Sequence, residues 1–139
     1  MDAVCTTQIT NRIFDMVEAV ARQEKKKALD YYYDLLALKE PPMRILYLLC
    51  RQFKLLFEVQ ELMRKGMGKK QIAEELGIHP FAVGKYMEQC KNFRRADLLA
   101  IMEEGAELET DVKTGRLSDV MSVELFISSQ KTASKVVSD

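Results

Sequence analysis

Apolar residues recur at intervals of three and four along almost the whole chain, the spacing that gathers them on one face of an α-helix. Ile9, Ile13, Val17 and Val20 make the first such stripe, with a cap expected at Thr7 or Thr10. A second helix is predicted from Glu24 to Leu38, with Leu29, Tyr32, Leu35 and Leu36 facing inward. Pro41-Pro42 ends it, because proline disfavours helix in the residue before it yet fits the first turn of the next. The longest pattern runs from Met43 to Lys65 and ends at Gly66. Its main stripe is Ile45, Leu48, Leu49, Phe53, Leu56, Leu62 and Met63, and Tyr47, Leu55, Phe57 and Val59 widen it. A helix apolar around so much of its girth should be packed on several sides, at the centre of the domain.

The remaining elements are shorter. Lys69 to Leu76 is a helix closed by Gly77, and Pro80 opens another from Phe81 to about Phe93. Arg95 to Val112 follows, with Lys113-Thr114-Gly115 as its exit and Gly115 as a left-handed cap. Ser118 is able to cap a last element from Asp119 to Ser128. Val123, Leu125 and Ile127 there also alternate as in a strand, although helix is the preferred reading. The polar chain after Gln130 should be frayed. The pattern predicts one all-α domain, a compact bundle of six or seven helices around a long central helix.

At 139 residues and 47% apolar content the chain is able to bury one real core. With 21 basic and 21 acidic side chains it is neither a globally basic nucleic-acid binder nor a disordered acidic tail. No apolar run is long enough for a membrane span, and Met1-Asp2-Ala3-Val4-Cys5 lacks the features of a signal peptide, so a cytoplasmic location is expected. The charge is unevenly spread. From Arg64 to Arg95 there are eight basic and three acidic residues, and from Asp97 to Glu124 two basic and eight acidic. Adjacent surfaces of opposite sign suit contacts between subunits, and otherwise are simply solvated helix faces.

Candidate chemistry is sparse. Cys5, Cys50 and Cys90, with His79 as the only imidazole, offer neither a disulfide framework nor a zinc site, so no metal or cofactor is expected. His79 should act as a cap beside Pro80, and Cys50 and Cys90 should be small core residues. Asp30, Asp34, Glu103, Glu104, Glu107 and Asp111 read as solvated carboxylates, and neither a phosphate loop nor a nucleophile elbow is present. Nothing in this set points to an enzyme. The most suggestive pattern is the pair of short helices within residues 69–91, which resembles a helix-turn-helix. Its second helix opens with His79-Pro80-Phe81-Ala82, which offers little to base edges, and Lys85 and Lys91 would reach phosphate at most. We therefore expect a structural hairpin with Phe81 packed inward near Ile72 and Leu76. The alternative is a helix-turn-helix DNA-binding regulator using residues 69–91.

Several segments together carry a family resemblance. Ile13 to Val20, Arg44-Ile45-Leu46, Arg51-Gln52-Phe53, the stretch Gln71 to Phe81 (with Gly77, His79 and Pro80) and Asp111-Val112-Lys113-Thr114-Gly115 occur in one order. They resemble the C-terminal collar domain of the delta subunit of the bacterial DNA polymerase III clamp loader, over roughly Thr7 to Ser129. The resemblance implies a collar domain at 7–129, preceded at 1–6 by a remnant of the segment entering from a lid domain and followed at 130–139 by a flexible tail. It implies a non-catalytic accessory subunit of a DNA polymerase, held by this domain in a ring of other clamp-loader subunits during DNA replication. It also implies that the sliding clamp is gripped only by an N-terminal domain that this chain lacks. The Arg51-Gln52-Phe53 segment should be structural, with Phe53 in the core and Arg51 and Gln52 hydrogen-bonded to neighbouring helices. The Asp111–Gly115 turn is read as a helix cap, or as a weak primer–template contact through phosphate-binding Lys113 and Arg116.

Overall fold

The computed structural model describes the backbone of residues 2–129 and the side chains from Ile9 onward. Seven helices make up the described residues, and no strand is among them: α1 Asp2–Ala21, α2 Lys25–Ala37, α3 Pro42–Arg64, α4 Lys69–Leu76, α5 Pro80–Cys90, α6 Arg95–Lys113 and α7 Asp119–Ser128. The central helix is α3, which packs against α1, α4, α5, α6 and α7, while α2 lies across α1 and α7. Both of its ends follow from sequence. Pro42 occupies its first turn, and beyond Lys65 the chain turns back through Gly66 at φ +85°.

Ile45, Leu46, Leu49, Phe53, Leu55, Leu56 and Val59 of α3 are buried, and with them Met16, Tyr32, Leu35, Ile72, Val83, Leu98 and Phe126 from the surrounding helices. Phe53 meets the rings of Phe93 and Phe126 edge-on, at centroid distances of 5.6 and 5.9 Å. Burying one such ring contributes roughly 1.5–3 kcal/mol, and edge-on pairs add somewhat more.

Several expectations need correction. The helix stripe of α1 is buried as predicted, but α1 starts at Asp2, so positions 7 and 10 lie within the helix rather than at its start. No proline or glycine precedes them to break the helix. Helix α5 ends at Cys90, three residues early, and Phe93 reaches the core from the following turn. Tyr47 is exposed on α3, and Leu29 and Leu36 of α2 are only half-buried, Ala28 taking the inner position instead. The strand alternative for 119–128 falls to helix, capped by Ser118, whose Oγ accepts the Met121 N–H at 3.1 Å. Met1 and the tail at 130–139 lie outside the described residues.

Candidate interaction surface

The segments singled out in the sequence serve three separate joints. In the first, Gln52 and Phe53 are buried on α3. Gln52 donates from Nε2 to Gln89 Oε1 on α5 at 2.9 Å, and Gln89 Nε2 donates in turn to Phe14 O at 3.2 Å and Glu18 Oε1 at 3.0 Å on α1. This buried amide chain fixes three helices in register, since leaving any member unpaired would cost about 1–3 kcal/mol. Arg51 does not join it. It is exposed, without a side-chain hydrogen bond among the described residues, because its position one residue before Gln52 turns it out of the core. It lines a groove of about 370 Å³ with Tyr47, Cys50, Lys54, Leu55 and Glu58. From there its charge partly offsets the rise that burial imposes on the Tyr86 phenol.

Sequence reasoning missed Gln89 and Gln60. Gln60 Nε2 donates to the carbonyls of Cys90 and Phe93 at 2.8 and 2.6 Å, closing the end of α5. The available signal was a glutamine falling on an apolar stripe, which demands a partner.

In the second joint, Gly77 closes α4 at φ +69°, and His79 caps α5 by accepting the Phe81 N–H on Nδ1 at 3.0 Å. The hairpin buries Ile72, Ala73, Val83 and Tyr86, but Phe81 is not with them. It is 73% exposed. The buried stripe of α5 is Val83, Tyr86 and Cys90, and a residue two places before Val83 lies about 200° round the helix. The inward packing of Phe81 on Ile72 and Leu76 is therefore wrong.

The third joint is the end of α6. Gly115 takes φ +81°, the Arg116 N–H reaches Asp111 O at 2.8 Å, and the Gly115 N–H reaches Val112 O at 3.1 Å. Thr114 Oγ1 adds a bond to Thr110 O at 3.0 Å. This is a Schellman cap, with the 6→1 and 5→2 bonds both made. Lys113 pairs with Glu109 at 3.5 Å, so of the two cations at this turn Arg116 is the one with no ion pair among the described residues.

The surface most in need of a partner lies elsewhere. On α7, Ser122, Val123, Phe126 and Ile127 face the core, while Val120, Met121 and Leu125 face outward at 37%, 46% and 41% exposure. Tyr33 of α2, 45% exposed, extends the patch. Its hydroxyl donates to Glu124 at 2.7 Å, and the buried Tyr32 hydroxyl donates to Val120 O at 2.9 Å. Lys25 Nζ donates to the Ser128 carbonyl at 2.6 Å, tying down the other end of α7. These bonds hold the helix from behind, and its outer face is largely apolar, with the Glu124 carboxylate engaged by Tyr33. A helix with apolar residues on both its inner and outer faces is ordinarily covered on both, and here the described residues cover only the inner one.

No helix among the described residues is long and apolar enough to cross a membrane. The family model described as "DNA polymerase III delta subunit, C-terminal domain" matches residues 10–130. DNA polymerase III subunit delta of Bacillus subtilis (strain 168) is 32% identical over 119 residues, 86% of this chain and 34% of that protein. The solved structure of the Bacillus subtilis DNA clamp loader delta protein superposes with a TM-score of 0.82 at 32% identity, covering 86% of this chain and 35% of that one. The chain thus spans about a third of the length of these relatives. It belongs to the DNA polymerase III delta subunit family, of which it carries the C-terminal domain.

Proposed function

We propose that this domain is the assembly module of a clamp-loader delta subunit, joining the other loader subunits through a ring of collar domains. The observation that carries this reading is α7, a rigidly held helix whose outer face, Val120, Met121 and Leu125 with Tyr33 beside it, remains apolar and uncovered. The names of the similar Bacillus subtilis proteins support the partner class, since one is a polymerase subunit and the other a clamp-loader protein. About two thirds of those proteins lies outside the match, and on this reading gripping and opening the sliding clamp belongs there. The collar domain itself performs no chemical step. It works in the cytoplasm, where replication takes place.

Met121→Asp combined with Leu125→Asp tests this. Both side chains point away from the core, so the melting temperature should hold, whereas burying two carboxylates in an apolar interface should weaken binding to the other loader subunits by more than about tenfold. Unchanged binding would remove α7 from the interface.

A further inference from the structure

We propose that the open side of α3 is the docking surface for an acidic helix of a partner protein, its carboxylates set against Arg44, Arg51 and Lys54. The surface lies on a different helix from the α7 face, and the inference does not rest on the assembly reading.

Helix α3 is central, yet its neighbours leave one side of it bare. Along that side stand Arg44, Tyr47, Arg51, Lys54 and Glu58, at i, i+3, i+7, i+10 and i+14. Alternating steps of three and four keep these positions on one line of the helix, about 21 Å long at about 1.5 Å per residue. The same alternation is the seam along which a second helix packs, at a crossing angle of about 20°. Arg44, Tyr47, Arg51 and Lys54 are all exposed, Tyr47 at 63%, and Glu58 is half-buried. The bare side therefore has the length and the register for one more helix.

The charge on this line is not spent within the domain. Arg64 and Arg95 are both held by Glu61, near the end of α3. Arg44, Arg51 and Lys54 form no ion pair among the described residues. The sequence predicts a bond from Arg51 to a neighbouring helix, and the fold instead leaves its side chain exposed. Three cations against the single carboxylate of Glu58 make the line a receptor for negative charge.

The groove on this side selects the kind of anion. It holds about 370 Å³, with Leu55 and the half-buried Cys50 beneath the longer side chains of Tyr47, Arg51, Lys54 and Glu58. An apolar side chain fits between the cations there, which an amphipathic helix supplies and a phosphate chain does not. Negative charge also borders the groove. Glu58 ends the line, and burial together with the Glu109 charge on α6 raises the Cys50 thiol. A nucleic-acid backbone carries a charge at every residue and would meet both carboxylates. A peptide is able to place its acids on the cations and a neutral or basic residue opposite Glu58.

The probe is a labelled synthetic helix of about 20 residues, enough to span the line, with Leu and Glu on one face. Followed by fluorescence anisotropy at low salt, the full chain should bind it at least about tenfold more tightly than the same peptide with Gln for Glu. Arg51→Glu combined with Lys54→Glu should weaken binding by about tenfold and confer binding of a peptide with Lys for Glu. Both side chains are exposed, so the melting temperature should hold. Lys69→Glu with Lys70→Glu, the same charge change on α4, should leave the affinity within about twofold. Met121→Asp with Leu125→Asp should do so too, which separates this test from that of the α7 face. Equal binding of the Glu and Gln peptides, or an equal loss from the α4 pair and the α3 pair, would overturn the proposal. So would displacement of the peptide by oligothymidylate at equal charge, which would make the line a nucleic-acid surface.

Discussion

A methyl group on Gly105 would stand 2.5 Å from Cys50 Sγ and 3.4 Å from the Phe126 ring, so at this point α6 approaches α3 as closely as only glycine allows. Elsewhere in a helix Gly→Ala gains about 1 kcal/mol, but overpacking costs about 1–3 kcal/mol, and here the second effect should win. Gly105→Ala should therefore lower stability by about 1–2 kcal/mol. The loss should shrink by about 1 kcal/mol when Cys50 is also Ala, because the obstructing sulfur is gone. Denaturant melts of the two singles and the double decide it, and simple additivity would contradict the close approach. The same thiol bears on pH. Burial pushes Cys50 and Cys90 up to about 11 from 9.0, so the folded chain holds these protons more tightly than the unfolded one. Their contribution is complete below about pH 9 and lost as pH rises toward 11. Stability should fall over that window, less steeply after Cys50→Ala with Cys90→Ala, and parallel profiles would refute the assignment. Phe53 was legible in the sequence because it shares a stripe with Leu49 and Leu56. Phe81 was not, since apolar character alone does not say on which side of a three-turn helix a residue falls.

At the scale of elements, helix ends were readable where glycine marks them, at Gly66, Gly77 and Gly115, all at positive φ. Helices α1 and α2 end in the same left-handed turn through Gln23 at φ 64° and Lys39 at φ 66°, and no residue type announced it. The ambiguity over 119–128 has its own cause. A helix with apolar residues on both faces carries no clear period, and the feature that hid its secondary structure is the one on which the proposed interface rests. The end of α6 gives a further expectation. Its Schellman cap is backbone-driven and Lys113 is engaged with Glu109, so Lys113→Ala with Arg116→Ala in the complete subunit should leave primer–template affinity unchanged across a salt series. Stability should drop by no more than about 0.5 kcal/mol, the scale of one exposed i,i+4 pair. Lost DNA affinity with loader assembly intact would restore the phosphate contact.

On the scale of the whole molecule, α3 organises five neighbours around one core, and the sequence showed this through the unusual breadth of its apolar surface. The charge split was equally visible, but its distribution between paired and unpaired cations was not, because pairing depends on which helices meet. Arg95, for example, reaches back from the start of α6 to Glu61 on α3 and stacks its guanidinium 5.3 Å from the Phe57 centroid. Among the exposed apolar residues, those of α7 with Tyr33 form the face on which the assembly proposal rests. The central claim is that this domain is built to be held by other clamp-loader subunits. Size-exclusion chromatography with light scattering, run on the full chain mixed with the remaining loader subunits of its own organism, tests that most directly. The account predicts co-elution at the mass of a stoichiometric complex. A chain that elutes alone, folded and at its own mass of 16.0 kDa, would contradict it.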